Sequence, residues 1–461
     1  MNTNTADVVI CGAGICGISA AYHLAAERNV KRVVLVDPRE PMTFTSSKST
    51  ECYRNWWPGP DDTMVRFMNR SIELLEQLAR QSNNYFALNR RGYVFLTADH
   101  QRAAEYQTAA RRICERGAGS LRIHRGQENE PPYTPSPPEG FEGLPDGADL
   151  VLSPEIIRRT FPFVTGKAVA MLHVRRAGWL SAQQLGMYLL RQATAHGTEL
   201  VQGTVVAVTT EKNRVRTVHI QTTQGLEAIQ TENFVIASGP FLQQTADLIG
   251  VKLPVFNELH AKAVIKDPLG VIPRDVPLMI WDDPAHLFWE AHERGELEKD
   301  EEARWLLEKF PAGVHFRPEG HAGSPFLLAL WTYDTHVQEP VAEPHFAPEY
   351  AEIVLRGLIN MVPGLAVYAG KLQRPIIDGG YYCKTRENRP LIGPLPVEGA
   401  YIFGAVSGFG IMAAMSGGEL LAQHVCGEEL FDYAKAFTLS RYDDPQYAAL
   451  ILEMEASSGQ L

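Results

Sequence analysis

The chain has 461 residues, of which 45% are hydrophobic, so it is long enough for two or three domains with sizeable cores. Its 43 basic and 54 acidic residues give a formal net charge of −11 without any basic block, which argues against nucleic acid as a partner. No run approaches the roughly 20 apolar residues of a membrane span, and no basic residue precedes the amino-terminal apolar stretch. We therefore expect a cytoplasmic protein with no membrane partner. The six cysteines form no C-x-x-C pair, which predicts free thiols and no metal site.

The amino-terminal elements follow the order strand, helix, strand. Residues 7–11 form an apolar strand, residues 15–26 form a helix rich in Ala and Leu, and residues 32–36 form a second strand that leads into Asp37. This spacing predicts a βαβ unit with a parallel sheet.

The later elements alternate between helices and short strands. Apolar spacing, capping residues or a charge run predict helices at residues 61–82, 181–195, 284–310 and 417–425. Apolar or alternating patterns predict strands at residues 203–210, 215–222, 234–237 and 401–406. The first two of these strands flank a four-residue turn and read as a hairpin.

The chemistry of the βαβ unit lies in its first turn. Gly12, Gly14 and Gly17 form G-x-G-x-x-G directly after a strand and at the start of a helix, which is the context of a dinucleotide-binding site. The first glycine makes the tight turn, the second lets the backbone approach a pyrophosphate, and the third lets helix and strand pack closely. The helix start, with Ile15 and Cys16, offers N–H groups to the phosphates. Asp37 suits ribose hydroxyls and disfavours a 2′-phosphate, which leaves FAD or NAD.

A second glycine-rich turn lies near the other end of the chain. Residues 407–410 read Ser-Gly-Phe-Gly and follow the strand predicted at residues 401–406. Such a strand-to-helix turn can present backbone N–H groups to a polar ring edge or a ribityl chain. A structural turn without a ligand is the open alternative.

Four segments together resemble the D-amino-acid oxidase, glycine oxidase and sarcosine oxidase family of FAD enzymes. They are the βαβ unit, the Ser-rich turn at residues 45–50 followed by Tyr53 and Arg54, the Arg-Pro-Leu-Ile-Gly-Pro run at residues 389–394, and the glycine-rich residues 404–412. The resemblance covers most of the chain and favours FAD over NAD. A second G-x-G-x-x-G for a nicotinamide is absent from the sequence, which favours a small-molecule substrate that reduces the flavin directly.

The resemblance implies an α/β fold in two domains. A discontinuous Rossmann-like FAD-binding domain takes residues 1–84, 151–248 and 386–440. A mostly antiparallel α+β substrate domain takes residues 85–150 and 249–385. Residues 441–461 form a C-terminal tail.

The resemblance also implies which residues hold FAD beyond the first turn. In relatives, a residue of the hairpin contacts adenine through its backbone, and the carboxy-terminal glycine loop and helix start face the flavin ring system. The implied contacts here are Ser46, Ser47, Thr50, Val205, Gly239, Gly408, Phe409, Gly410, Ile411 and Met412. Gly380 stands where sarcosine oxidases carry the cysteine that links the flavin, so we expect non-covalent FAD.

Three residues are the candidates for substrate chemistry. Arg54 matches the arginine that binds a substrate carboxylate in relatives, Tyr382 matches a pocket residue, and His315 lies on a strand expected to face the cavity. A structural ion pair for Arg54 and simple packing for the other two remain open alternatives. Met412 and Ala329 stand where sarcosine oxidases place lysines.

The expected activity is the oxidation of an amine or amino acid by hydride transfer to FAD, with oxygen or another carrier as electron acceptor. A 2-hydroxy-acid dehydrogenase and a flavin-bearing electron-relay subunit of a larger complex are the alternatives.

Overall fold

A computed structural model describes residues 4–321 and 323–452. Its α-helices are α1 (Ile15–Ala25), α2 (Thr63–Gln81), α3 (His100–Ile113), α4 (Pro154–Thr160), α5 (Ala182–Ala195), α6 (Leu242–Asp247), α7 (Ala291–Leu297), α8 (Tyr350–Leu358), α9 (Gly410–Cys426) and α10 (Pro445–Leu452). Within this part of the chain, none of the helices combines the length and the apolarity that crossing a membrane requires.

The strands are short and spread over the whole chain. In the first half they are β1 (Val8–Cys11), β2 (Val33–Asp37), β3 (Cys52–Arg54), β4 (Tyr93–Thr97), β5 (Leu121–His124), β6 (Ala148–Val151), β7 (Ala170–Val174), β8 (Ala177–Trp179), β9 (Thr198–Gln202), β10 (Thr204–Glu211), β11 (Arg214–Thr222) and β12 (Gly225–Gln230). In the second half they are β13 (Phe234–Ile236), β14 (Phe256–Lys266), β15 (Leu278–Trp281), β16 (Ala285–His286), β17 (Lys309–Phe310), β18 (Val314–Glu319), β19 (Phe326–Leu330), β20 (Ile376–Lys384), β21 (Leu391–Pro394) and β22 (Ala400–Gly404).

The first sheet joins strands from both ends of the chain. Its order is β21-β22-β13-β1-β2-β9, and all neighbours are parallel except β21 and β22. Because β1 lies between β2 and β13, and β13 pairs with β22, the amino-terminal glycine turn and the carboxy-terminal one emerge at the same edge.

Both faces of this sheet are buried. Val8 and Ile10 point into a core with α1, α2, α5 and α9, whereas Val9 points into a core with the antiparallel sheet β10-β11-β12. Burial on both faces explains why β1 and β2 are continuous apolar runs instead of alternating ones.

The second sheet has nine strands in the order β20-β14-β19-β18-β15-β4-β7-β6-β5. Only the pairs β15–β4 and β5–β6 are parallel, so the sheet is mostly antiparallel. One face packs on α8 through residues such as Met279 and Val354, and the other turns towards the first core through residues such as Tyr93 and Leu278. The predicted fold class, a Rossmann-like unit with a second, mostly antiparallel domain, is confirmed.

Two predicted elements need correction. Residues 284–310 are not one helix, because only Ala291–Leu297 is α-helical and β16 pairs with β17 across that segment. The last long helix begins at Gly410, well before residue 417. In contrast, the hairpin and the capping of α5 by Ser181, whose side chain accepts from the Gln184 N–H, agree with the sequence.

The domain bounds remain a prediction, but the secondary structure bears on two of them. β7 joins the second sheet, although it lies inside the span 151–248 assigned to the FAD-binding domain. Residues 441–452 of the expected tail are folded, and Arg441 is buried within them. The remainder of that tail, residues 453–461, lies outside the described residues.

Candidate active site

A cavity of about 380 Å³ opens at the edge of the first sheet where β1, β2 and β13 end. This volume is within the range of small-molecule and cofactor sites, and the carboxyl edge of a parallel sheet is where such sites form. Among the predicted site residues, the cavity is lined by Gly12, Gly14, Ile15, Cys16, Asp37, Ser46, Val205, Gly239, Tyr382, Gly408, Gly410 and Ile411.

The three motif glycines meet different surroundings. A Cβ on Gly12 would lie 2.3 Å from the Ala237 carbonyl oxygen, and its φ of +113° is one that side chains disfavour. A Cβ on Gly17 would lie 1.8 Å from the Gly12 carbonyl oxygen, so this residue packs helix against turn and does not line the cavity. A Cβ on Gly14 would meet only the Ser46 Oγ, at 3.0 Å, within the cavity.

Asp37 joins the glycine turn to the residues after β2. Its Oδ2 accepts from the Ala13 N–H at 2.8 Å, and its Oδ1 accepts from the Arg39 N–H at 2.9 Å. The carboxylate is thereby fixed at the rim of the cavity, where ribose hydroxyls can reach it.

The Ser-rich segment lies beside the start of α1. The Ser46 Oγ accepts from the Ile15 N–H at 2.9 Å. Ser47 and Thr50 do not line the cavity. Their carbonyl oxygens accept instead from Lys262 Nζ at 3.1 Å and Arg317 Nε at 2.7 Å, on the second sheet.

The carboxy-terminal glycine turn closes the other end of the cavity. Ser407 N–H donates to the Cys383 carbonyl at 2.9 Å, and a Cβ on Gly408 would lie 2.4 Å from the Tyr382 ring. Phe409 faces away from the cavity and packs edge-on against Trp57, with ring centroids 5.0 Å apart. Met412 is buried in the core of helices. Side-chain contacts of these last two residues with a cofactor therefore remain a prediction.

Tyr382 is the catalytic candidate that lines the cavity. Its ring stacks on His260 at 4.0 Å, with an angle of 13° between the ring planes. His260 Nε2 donates to Glu258 Oε2 at 3.0 Å, and Lys384 Nζ donates to the same oxygen at 2.7 Å. Burial lowers the pKa of His260, so its ring is neutral at pH 7. No local pattern in the sequence points to His260, because its approach to Tyr382 depends on the pairing of β14 with β20.

Arg54 and His315 are buried behind this end of the cavity and do not line it. The Arg54 guanidinium lies 5.5 Å from the Trp57 ring centroid and 5.6 Å from that of Tyr93. His315 Nδ1 donates to the Gly313 carbonyl at 2.8 Å. Burial, with a smaller effect of the Arg54 charge, lowers the pKa of His315 to about 4, so the imidazole is neutral at pH 7.

The resemblance places Ala329 where relatives have a lysine, but the structure turns this residue away from the cavity. Ala329 pairs with Ala263 and Phe316 and lies in the core with α8. Lys262, on the neighbouring strand, is the lysine whose side chain reaches the cavity side of the sheet, where it meets the Ser-rich segment.

Several cavity residues were missed by the sequence reasoning. They include Arg39, Phe44, Phe241, Thr245 and Tyr381. Arg39 and Phe44 follow the second strand directly, so the short distance from Asp37 was an available signal. No group of three or more His, Cys, Asp or Glu side chains suited to a metal ion occurs in residues 4–321 and 323–452.

A family model described as FAD dependent oxidoreductase matches residues 7–424 of this chain. The chain belongs to this family. It is 24% identical over 441 residues to FAD-dependent oxidoreductase domain-containing protein 1 of Mus musculus, covering 91% of this chain and 80% of the relative. It is 22% identical to the mitochondrial dimethylglycine dehydrogenase of the same species, covering 93% of this chain but only 43% of that protein.

Solved structures show the same fold. L-proline dehydrogenase from P. horikoshii superposes with a TM-score of 0.71 at 18% identity, covering 96% of this chain and 98% of that one. Glycine oxidase from Geobacillus kaustophilus superposes with a TM-score of 0.69 at 17% identity, covering 95% of this chain and 99% of that one.

The residues of the cavity fit the FAD that this oxidoreductase family uses. The space beside Gly14 would hold the pyrophosphate, because no Cβ occupies it, and the Asp37 carboxylate would accept from the ribose hydroxyls. Val205 and Gly239 line the same cavity, and Tyr382 with the turn around Gly408 lines the part that would face the ring system.

Proposed function

We propose that this FAD-dependent oxidoreductase oxidises the C–N bond of a small amine or amino acid. Bound FAD supplies the hydride acceptor for this reaction. Support comes from the similar proteins, whose names give dimethylglycine, glycine and L-proline as the molecules they oxidise. Each of these combines an amine nitrogen with a carboxylate.

The observation that carries the proposal is the position of a buried guanidinium next to the ring end of the cavity. The Arg54 guanidinium lies 5.5 Å from the Trp57 ring centroid, and Trp57 contacts Phe409. Phe409 is the neighbour in sequence of Gly408, which lines the cavity. The Arg54 Nε donates to the Trp56 carbonyl at 3.1 Å, and burial lowers the pKa of Arg54 because the charge is poorly solvated there.

Each residue has a defined part in this proposal. Arg54 lies behind the cavity wall, and its positive charge attracts the substrate carboxylate to this end of the cavity. Tyr382, braced by its stack on His260, forms the wall against which the substrate carbon is oriented. Neutral His315 adds no charge that would repel an ammonium group on the substrate.

A panel of candidate substrates tests the reaction type. Under anaerobic conditions, a secondary amine or an amino acid should bleach the flavin absorbance of the purified protein. Bleaching by 2-hydroxy acids alone would contradict C–N oxidation, and bleaching by no member of the panel would favour an electron-relay subunit.

The anchor is tested by replacing Arg54. With the substrate found by the panel, Arg54→Ala should lower kcat/KM by roughly tenfold or more while the flavin spectrum is kept, and Arg54→Lys, which keeps the charge, should lower it less. Arg66, whose guanidinium stacks on Tyr433 at the surface, offers a matched control in Arg66→Ala. An unchanged kcat/KM for Arg54→Ala would contradict the anchor, and loss of FAD would assign Arg54 to the cofactor.

The proposal includes a cytoplasmic location and an acceptor that is either oxygen or another carrier. The six cysteines are free thiols, as a reducing compartment allows. Oxygen consumption during turnover would identify an oxidase, and turnover only with an added dye would identify a dehydrogenase.

A further inference from the structure

An arginine and two aromatic rings form a stack at the rim of the cavity. The guanidinium carbon of Arg39 lies 4.3 Å from the centroid of the Phe44 ring and 5.7 Å from that of Phe241. The two rings stack on each other at 5.6 Å with an interplanar angle of 22°. All three side chains line the cavity and are half-buried. None of them is explained by the core of either sheet.

The stack stands beside the amino-terminal glycine turn. The Met42 N–H donates to the Ala13 carbonyl at 3.0 Å, and the Ser46 Oγ accepts from the Ile15 N–H at 2.9 Å. Phe44 lies between these two contacts in the chain. The segment that carries Phe44, against which the Arg39 guanidinium packs, is therefore attached to the turn where the phosphates of a dinucleotide would bind.

The charges around the cavity make this arginine unusual. Among the described residues that line the cavity, Arg39 is the only Lys, Arg or His, whereas Asp37 and Glu40 contribute carboxylates. Two N–H groups of the turn, those of Ala13 and Ile15, already donate to Asp37 and Ser46. A doubly charged pyrophosphate in this cavity thus has few other sources of positive charge.

We propose that Arg39 is the cationic partner of the cofactor pyrophosphate and that Phe44 and Phe241 hold it in place. A guanidinium packed face-on against a ring keeps its N–H edge free for phosphate oxygens. The proposal concerns the cofactor end of the cavity and is independent of the substrate.

The test measures binding of ADP and of adenosine to the apoprotein by calorimetry. ADP carries the pyrophosphate and the adenosine of FAD, whereas adenosine lacks the phosphates. Arg39→Gln should weaken ADP binding roughly 10- to 100-fold, as expected for the loss of hydrogen bonds to a charged group. Adenosine binding should stay unchanged, and the salt dependence of ADP binding should become weaker. FAD should dissociate faster from the same variant.

Two further variants sharpen the test. Arg191 also stacks on aromatic rings, those of Tyr85 and Tyr188 at 4.7 Å and 5.8 Å, but it does not line the cavity, so Arg191→Gln is the matched control. Phe44→Leu should weaken ADP binding without removing a charge, because Arg39 loses its support.

Three results would overturn the proposal. One is unchanged ADP binding by Arg39→Gln. Another is an equal loss of ADP and adenosine, which would place Arg39 against the adenine ring. The third is failure of the wild-type protein to bind FAD or ADP. The thermal unfolding of each apo variant separates lost binding from lost folding, and Arg39→Lys, which keeps the charge, should bind ADP better than Arg39→Gln.

Discussion

Substitutions of two glycines in the amino-terminal turn should have different effects, one on cofactor binding and the other on folding. Gly14→Val places a side chain in the cavity, where only the Ser46 Oγ must move, so FAD binding should be lost while apo stability changes by about 1 kcal/mol or less. Gly17→Ala forces a Cβ into the Gly12 carbonyl and should destabilise the apoprotein by roughly 1–3 kcal/mol. Flavin fluorescence on reconstitution and apo unfolding curves measure the two effects. Tight FAD binding by the valine variant would remove Gly14 from the site.

Cys383 lines the cavity, but its environment suits a neutral thiol. Burial raises its pKa to about 12, so the reactive thiolate is scarce at pH 7. FAD should therefore appear in the supernatant after acid precipitation of the purified protein. Yellow pellets that turn colourless in Cys383→Ser would instead establish a covalent link.

Residue patterns predicted the cofactor motif better than the residues around Tyr382, because the motif is local in sequence and those residues are not. G-x-G-x-x-G and Asp37 act through a local strand-turn-helix geometry, which the sequence itself encodes. His260 reaches Tyr382 only through the register of β14 on β20, where His260 lies opposite Gly380. A contact between residues more than one hundred positions apart leaves no local trace.

Among the helices and strands, the correctly predicted ones are those whose structure depends mainly on their own residue pattern. The hairpin β10–β11 alternates and turns at Lys212 and Asn213, both with positive φ. The charged segment at residues 284–310 has helical propensity, yet pairing of Ala285 with Phe310 restricts the helix to seven residues. The helix predicted from residue 417 begins earlier, at Gly410, and the absence of a side chain at Gly417 lets it pack close to Phe403, because a Cβ there would lie 2.3 Å from the ring.

The C-terminal elements are held to the rest of the chain by a buried ion pair. Arg441 Nη2 donates to Glu387 Oε1 at 2.6 Å, and both side chains are at most 1% exposed. Arg441→Ala would leave the Glu387 carboxylate buried without its charge partner and should cost roughly 3–5 kcal/mol of folding free energy. Denaturant unfolding measures this loss. Lys435→Ala, which breaks the exposed pair with Asp444, should change the stability far less.

The Arg441–Glu387 pair also predicts how the stability of the fold changes at low pH. Burial alone raises the pKa of Glu387, but the charge of Arg441 and the hydrogen bonds that it receives outweigh this, so the pKa lies below its usual 4.5. A carboxylate with a lowered pKa stabilises the fold above the unfolded-state value and loses that contribution as the pH falls through the folded-state value. The stability difference between wild type and Glu387→Gln should therefore shrink below about pH 4.5. A constant difference down to the acid transition would contradict this linkage.

At the scale of the whole molecule, side chains of the second sheet hold in place a segment that lines the cavity. Its cavity-facing side carries Lys262 and Arg317, whose side chains donate to main-chain carbonyls of the Ser-rich segment. That segment in turn places Ser46 at the start of α1. Sequence reasoning assigned these residues to separate domains, because hydrogen bonds to backbone carbonyls do not depend on a recognisable partner side chain.

This arrangement predicts that a lysine of the second sheet controls FAD retention. Lys262 Nζ donates to the Ser47 carbonyl at 3.1 Å and to the Ser49 carbonyl at 3.3 Å, in a buried setting. Lys262→Met keeps the aliphatic stem but removes both hydrogen bonds, so the Ser-rich segment loosens and FAD should dissociate about tenfold faster. Stopped-flow release of FAD into a trap measures this rate.

Lys266 lies on the same strand but is exposed, so Lys266→Met provides the control and should leave the rate unchanged. The apo variants should differ less in stability than the holo variants do, because the segment that loosens is the one that contacts the cofactor. If Lys262→Met instead destabilised the apoprotein and the holoprotein equally, the lysine would serve only to join the two sheets. If it changed neither the rate nor the stability, the two hydrogen bonds would contribute nothing in solution.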